Sequence, residues 1–168
     1  YEIPRVASTE PEFLRLLKKI ANKVKGDLAQ GPFIRALINV GELSPSLGLS
    51  FYEAMINDSD LVFYASFPLG GAGKKNFNQV FKLILKEFKN SNPNVRAMCI
   101  RSLRVMFEKE SGLINASDIF QLLKKASDGR ENAVVRVEAA NAYLDFERFN
   151  HDECFDNLIR IVKQGESI

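Results

Sequence analysis

The sequence predicts an all-α protein in which pairs of helices repeat along the chain. Apolar and small residues recur at helical spacing in Asn92–Glu110, and the same arrangement returns in Asn132–Phe146. Both segments contain a Val-Arg pair, and Arg136 follows Arg96 by 40 residues. A period of this length is typical of arrays of stacked helices. The residues predicted to form one buried stripe in the first segment are Val95, Cys99, Ser102, Leu103, Met106 and Phe107.

The composition is that of one domain with a nearly balanced charge. The chain has 168 residues, of which 46% are hydrophobic, and this is enough for a substantial core. Lysine and arginine together number 23 and aspartate and glutamate number 21, so the net charge is +2. A dedicated nucleic-acid-binding protein usually has a larger positive charge, although a local basic patch stays open.

The sequence indicates neither membrane insertion nor secretion. No segment has the ~18–20 consecutive apolar residues of a membrane span, and no signal-peptide pattern is present. The two cysteines, Cys99 and Cys154, fall on apolar positions of predicted helices. This placement favours buried free thiols in a reducing compartment. We therefore expect an intracellular protein, either cytoplasmic or nuclear.

In the first part of the chain, residues 1–67, the sequence predicts helices that follow each other less regularly. An extended lead-in over residues 1–8 is followed by Thr9-Glu10-Pro11-Glu12, which has the form of a helix capping box. The apolar residues that follow recur on one helical face as far as Val24. Residues 58–67 contain a stretch with strand propensity, but their helical neighbours favour a helix there as well. Two further helices are predicted, over Phe33–Leu43 and from Ser44 to about Asn57.

The segment Pro68–Lys75 (PLGGAGKK) predicts a flexible loop between this first part and a more regular second part. Glycines followed by a lysine also suggest a phosphate-binding loop, whose pattern is Gly-x4-Gly-Lys-Ser/Thr. Pro68 stands where the first glycine is required, and Lys75 stands where the metal-ligating hydroxyl is required. These two differences argue against nucleotide hydrolysis and favour a connection between helices.

In the second part, residues 76–168, the sequence pattern predicts helices joined by short links. Such links place neighbouring helices antiparallel. The helices that precede the Val-Arg helices also match each other. Phe120 follows Phe81 by 39 residues, and Ile159 follows Phe120 by another 39. Two kinds of helix therefore keep the same period. The predicted helices are Phe77–Asn90, Asn94–Ser111, Asn115–Ser127, Glu131–Asn150 and Asp152–Gln164.

The Val-Arg helices share a pattern in which small residues and then a large one follow the pair. The matching residues are Val95-Arg96, Cys99, Ser102-Leu103, Val135-Arg136, Ala139 and Ala142-Tyr143. This pattern resembles the second helices of HEAT and armadillo-like repeats, clearly so over Phe77–Gln164. The resemblance implies a right-handed α-α superhelix, a solenoid of antiparallel helix pairs, as a single domain over residues 1–168 within a longer solenoid. The run Asn92–Ala97 is also similar to the helical trunks of vesicle-coat adaptors.

No combination of catalytic acid, base and nucleophile is recognisable in the sequence, so we expect a non-enzymatic scaffold or adaptor. Its expected partners are proteins, and no cofactor, metal or small-molecule substrate is expected. A nucleic-acid-binding repeat protein, with phosphate contacts from dispersed lysines and arginines, is the alternative. A regulatory subunit of a larger complex fits the same pattern.

The candidate partner-binding residues are basic. Arg101 and Arg104 lie on the face of their helix opposite the predicted buried stripe, and we expect both to be exposed. Exposed arginines would suit an acidic patch on a protein partner, and reversing both charges would then leave the fold intact. An ordinary solvated face is the alternative interpretation of this pair. Lys74 and Lys75 of the predicted loop are further candidates.

The last predicted helix, Asp152–Gln164, matches the first helices of a pair, yet no second helix follows it. Part of its apolar face would then have no partner, because repeats bury their apolar faces against their neighbours. We expect that the protein continues past Ile168 with further repeats, or that this end docks on another chain.

Overall fold

A computed structural model of the chain describes residues 10–107, 116–146 and 151–165, which form nine α-helices and no strand. The prediction of an all-α protein is therefore confirmed for these residues. The helices are α1 (Glu10–Val24), α2 (Gln30–Leu43), α3 (Pro45–Ile56), α4 (Val62–Gly73), α5 (Phe77–Glu87), α6 (Pro93–Phe107), α7 (Ala116–Ala126), α8 (Ala133–Phe146) and α9 (His151–Gly165).

The predicted helices are present, with ends that differ by a few residues. α3 begins at Pro45, as the Ser44-Pro45 pair predicted, because proline suits the first turn of a helix. Predictions that lie outside the described residues are those for the lead-in over residues 1–8, for Thr9 of the capping box, for the helix start at Asn115 and for the helix ends at 108–111 and 147–150.

Asparagine side chains begin the two Val-Arg helices in the same way. The Oδ1 atom of Asn92 accepts a hydrogen bond of 2.9 Å from the backbone N–H of Asn94, at the start of α6. The Oδ1 atom of Asn132 accepts one of 3.0 Å from the N–H of Val134, at the start of α8. Each side chain satisfies an N–H group that has no partner within its helix, so both act as N-caps.

The helices pack against one another in a regular order. α2, α4, α6 and α8 contact each other in succession and form a continuous row, which we call the even row. α3 packs against α2 and α4, and α5 packs against α4 and α6. α7 and α9 both pack against α8, and α1 contacts α2 and α3. The odd-numbered helices thus flank the even row.

α4 is almost completely buried, and it overturns one prediction. Eleven of its 12 residues are buried among the neighbouring helices. The predicted flexible loop over Pro68–Lys75 is wrong, because residues 68–73 continue the helix and only residues 74–76 connect α4 to α5. The helix favoured for residues 58–67 is confirmed from Val62 onward.

Glycines allow α4 to pack closely against α2. A Cβ atom added to Gly71 would lie 2.2 Å from the carbonyl oxygen of Ile38, and one added to Gly41 would lie 2.1 Å from the carbonyl oxygen of Pro68. The two helices therefore meet backbone against backbone. Local sequence rules interpret Gly-Gly as a loop because glycine lowers helix propensity by about 1 kcal/mol. Here the packing of α4 on several sides outweighs that loss.

The predicted buried stripe of α6 is confirmed, because all six of its residues are buried. The equivalents that α8 contains 40 residues later are buried as well, namely Val135, Ala139, Ala142, Tyr143 and Phe146, and Tyr143 is completely inaccessible to solvent. The Tyr143 ring stacks on Phe120 of α7 with centroids 6.4 Å apart, and Phe146 packs edge-on against Phe107 of α6 at 5.3 Å. Burial raises the pKa of Tyr143 to about 12.

Candidate functional site

A groove of about 660 Å³ opens on the even row, where α2, α4, α6 and α8 lie side by side. We call it the central groove. Its apolar lining consists of Ile34, Ile38, Phe63, Phe67, Val105, Phe107 and Phe146. Its charged lining consists of Arg101, Arg104, Glu138 and Asp145. Each of the four helices contributes side chains, so the groove is a product of the packing order of the row.

The four charged residues form a network between α6 and α8. Glu138 accepts hydrogen bonds from the Nη2 atom of Arg101 and, at 3.3 Å, from the Nη1 atom of Arg104. The Nε atom of Arg104 also donates to the Oδ2 atom of Asp145 at 2.6 Å. Two positive and two negative charges therefore neutralise each other inside the groove.

Arg101 also stacks on an aromatic ring of α4. Its Cζ atom lies 4.2 Å from the centroid of the Phe63 ring, a geometry that gives a cation–π interaction. Phe63 in turn packs edge-on against Phe67, with centroids 5.5 Å apart. Burial lowers the pKa of Arg101, while the Glu138 carboxylate acts in the opposite direction. The guanidinium is thus held between a carboxylate and a ring.

The structure corrects the predicted exposure of Arg101 and Arg104. The Arg101 side chain is only 12% exposed and the Arg104 side chain only 28%. The cause is α8, which lies beside α6 and covers the face that a single helix would present to solvent. Both arginines line the central groove, but as paired residues of an inter-helix network.

The two predicted lysines lie elsewhere. The Nζ atom of Lys74 is 3.6 Å from the Oε2 atom of Glu42, and the Lys74 side chain is mostly buried where α4 ends. Lys75 is exposed in the short link to α5. Neither lysine belongs to the lining of the central groove, so the structure does not bring the four predicted basic residues together.

Sequence reasoning missed the acidic half of the network and the aromatic wall. Glu138 lies 37 residues after Arg101, and Asp145 lies 41 residues after Arg104. Both separations are close to the repeat period, so opposite charges one repeat apart were a usable signal. Phe63 and Phe67 had no comparable signal, because they belong to the segment in which strand propensity competes with the helical pattern of its neighbours.

Arg96 links α6 to the turn before the next Val-Arg helix, α8. Its Nε and Nη2 atoms donate to the two carboxylate oxygens of Glu131 at 3.0 Å and 2.6 Å. Its Nη1 atom donates to the carbonyl oxygens of Asn90 and Ser91 at 2.7 Å and 2.9 Å. The guanidinium lowers the pKa of Glu131. Arg96 therefore holds the turn before α6 against the turn before α8.

Comparisons with known proteins assign no family to the chain. No protein-family model matches the sequence, and no match emerged among curated proteins or among solved structures. Within the described ranges, no helix combines the length and the apolar character that crossing a bilayer requires. The same ranges contain no group of three or more histidine, cysteine, aspartate or glutamate side chains that could hold a metal ion.

Proposed function

We propose that the protein is a non-enzymatic scaffold or adaptor, and that its central groove binds a segment of a partner protein. The observation that carries this proposal is the lining of the groove, which combines apolar walls with charges that balance each other. We further propose that the even row and its flanking helices form a right-handed α-α superhelix of HEAT/armadillo-like repeats. The packing order and the 40-residue separation of Arg96 and Arg136 support that architecture.

The apolar walls suit the side chains of a protein segment. Phe63 is 38% exposed and lines the groove together with Phe67 and Ile38. A leucine or phenylalanine inserted there would remove apolar surface from water on both partners. Full burial of such a side chain is worth about 1.5–3 kcal/mol, so one or two anchors would supply much of the affinity of a peptide-sized ligand.

The charges in the groove favour a neutral segment over a strongly acidic one. An acidic segment would have to compete with Glu138 and Asp145, which already neutralise the two arginines. Arg104 and Asp145 are partly exposed. The guanidinium of Arg104 can therefore donate hydrogen bonds to the backbone of a bound segment, and the carboxylate of Asp145 can accept them from it. Backbone hydrogen bonds at the rim would orient the segment while apolar anchors hold it.

The pairing of three of the basic residues supports a protein partner over a nucleic acid. Lys18 of α1 is one of the dispersed lysines that could contact phosphate, and its Nζ atom lies 2.7 Å from the carboxylate of Asp58. Arg101 and Arg104 are paired within the groove in the same way. Phosphate binding would require these carboxylates to be displaced first. Cys99 and Cys154 are buried and neither is in a disulfide, which is compatible with the proposed intracellular location.

Peptide selection on the purified chain tests the proposed function. Ligands selected from a random peptide display library on the wild-type protein would be measured against Phe63→Ser by fluorescence anisotropy. We expect selected ligands to contain at least one large apolar residue. Their affinity for the variant should be about tenfold weaker, because the lost ring removes roughly 1.4 kcal/mol of apolar contact.

Leu85→Ser is a matched control for this experiment. Leu85 is also 38% exposed, but it lies on α5, outside the central groove. Ligands of the groove should keep their affinity for Leu85→Ser, and both variants should unfold cooperatively. Selected ligands that bind Phe63→Ser as tightly as the wild type would place the binding site elsewhere on the molecule.

A further inference from the structure

One surface of the molecule presents apolar side chains from two helices at once. On α8 the exposed residues include Val137 and Leu144, which lie on the side of the helix away from its buried residues. On α9 they include Ile159 and Val162. Because α9 packs against α8, we describe these four residues together as the α8–α9 face.

The repeat register shows what covers the equivalent residues of the preceding helix pair. Val162 is 61% exposed, whereas Leu123, which lies 39 residues earlier on α7, is completely buried. Ile159 is partly exposed, whereas its equivalent Phe120 is buried and stacks on Tyr143 of α8. A helix placed on α9 as α8 is placed on α7 would therefore bury Ile159 and Val162.

The same comparison applies to the row of second helices. Leu144 is 57% exposed, and its equivalent 40 residues earlier is Arg104. Arg104 is covered on α6 by Asp145 of α8. A single additional helix, in the position that α8 takes relative to α6 and α7, would cover both halves of the α8–α9 face.

A buried guanidinium indicates the charge that such a helix has to carry. Arg96 pairs through its Nε and Nη2 atoms with Glu131, in the turn before α8. Its equivalent, Arg136, has a buried Nε atom without a hydrogen-bond partner. Buried donors are normally satisfied, so this atom points to an acceptor that the described residues do not supply. A carboxylate placed as Glu131 is placed for Arg96 would supply it.

We propose that the α8–α9 face docks an α-helix of a partner protein, and that this helix has an acidic residue just before its first turn. The carboxylate pairs with Arg136, and an apolar side of the helix covers Leu144, Ile159 and Val162. The contact repeats the geometry of α8 on α6 and α7. It is separate from the central groove, so its success or failure does not depend on the proposed function.

The chain itself supplies a template for the test probe. A peptide of residues 129–146 contains Glu131 and α8, and a side-chain cross-link would hold it helical, because isolated helices of this length are marginal in water. Glu138→Leu and Asp145→Leu in the peptide would adapt it to its new neighbours. On α6 these positions face arginines, whereas the equivalent residues of α8 are Asn141 and Leu144.

Binding of this peptide to the 168-residue chain would be measured by isothermal titration calorimetry. We expect Arg136→Gln in the protein and Glu131→Gln in the peptide each to weaken binding about tenfold. The two changes together should weaken it little further, because both remove the same ion pair. Leu144→Gln should weaken binding at least tenfold, whereas Leu28→Gln, a 96% exposed residue outside this face, should not change it.

Three results would overturn the proposal. If the peptide bound wild type and Arg136→Gln with equal affinity, its carboxylate would not pair with Arg136. Sensitivity to Arg96→Gln instead would show that the peptide displaces α8 from its own site. Self-association of the chain in sedimentation experiments, abolished by Leu144→Gln, would mean that a second copy, and not a partner protein, occupies the α8–α9 face.

Discussion

The backbone contact between α2 and α4 predicts a large effect of one added methyl group. In Gly71→Ala the new Cβ atom would lie 2.2 Å from the carbonyl oxygen of Ile38 and 3.1 Å from the backbone nitrogen of Glu42. Both neighbours are backbone atoms, so no side-chain rotation relieves the overlap. The two helices have to separate, and the contacts around the buried α4 are weakened with them.

Two contributions of opposite sign determine the size of this effect. Alanine is favoured over glycine within a helix by about 1 kcal/mol. Overpacking costs roughly 1–3 kcal/mol, and a clash with backbone in a buried helix belongs at the upper end of that range. The expected net loss is therefore about 2 kcal/mol in the free energy of unfolding. For a chain of this size the melting temperature should fall by roughly 4–8 °C.

Gly31→Ala provides the matched control, because the same substitution meets open space. No heavy atom lies within 4 Å of a Cβ built on Gly31, which also belongs to α2. This variant should be unchanged or more stable by up to about 1 kcal/mol. Urea unfolding followed by circular dichroism measures both. A Gly71→Ala variant as stable as Gly31→Ala would show that α2 and α4 do not meet backbone against backbone.

Three further predictions concern the core and the ion pairs. Tyr143→Ala should lower the free energy of unfolding by roughly 2–5 kcal/mol, and a loss near zero would place Tyr143 outside the core. Reversing Arg101 and Arg104 to Glu should cost at least about 3 kcal/mol, measured by urea unfolding, because both would then face carboxylates of α8. An unchanged midpoint would restore the solvated-face interpretation. Because Arg96 lowers the folded-state pKa of Glu131, their pairing stabilises the fold above the unfolded-state pKa of about 4.3. That contribution is lost as the pH falls through the folded-state value, so Arg96→Gln should flatten the acid dependence of stability below about pH 5.

The helices and the buried stripe of α6 were predictable from the sequence because both depend on local periodicity. Asn92 and Pro93 mark the start of α6, and the spacing of its apolar residues identifies the buried side. Only the first half of α4, up to Phe67, was predicted as a helix. Its glycines and Pro68 lower helix propensity locally, and the compensation comes from neighbouring helices distant in the sequence.

The central groove could not be assembled from the sequence, because its lining is spread over four helices. Arg101 and Glu138 are 37 residues apart, and only the packing of α8 on α6 brings them together. The repeat period allowed that pairing to be anticipated in principle. Phe63 required a further step, because its position under Arg101 depends on α4 lying beside α6 in the row.

Arg101 and Arg104 were wrongly predicted to be exposed, and the cause of this error applies wherever helices pack in a row. A helical wheel divides one helix into a buried and a solvated side, which is sufficient when only one side has neighbours. Within the even row, α6 has α4 on one side and α8 on the other, and α5 packs against it as well, so three of its sides are covered. Residues opposite the buried stripe then lie between neighbouring helices, where a charge needs a partner. The same reasoning distinguishes α8, because its equivalent position holds Leu144, which is exposed where α8 is the last helix of the even row among the described residues. A paired arginine inside the row and an exposed leucine at its edge therefore follow from one packing rule.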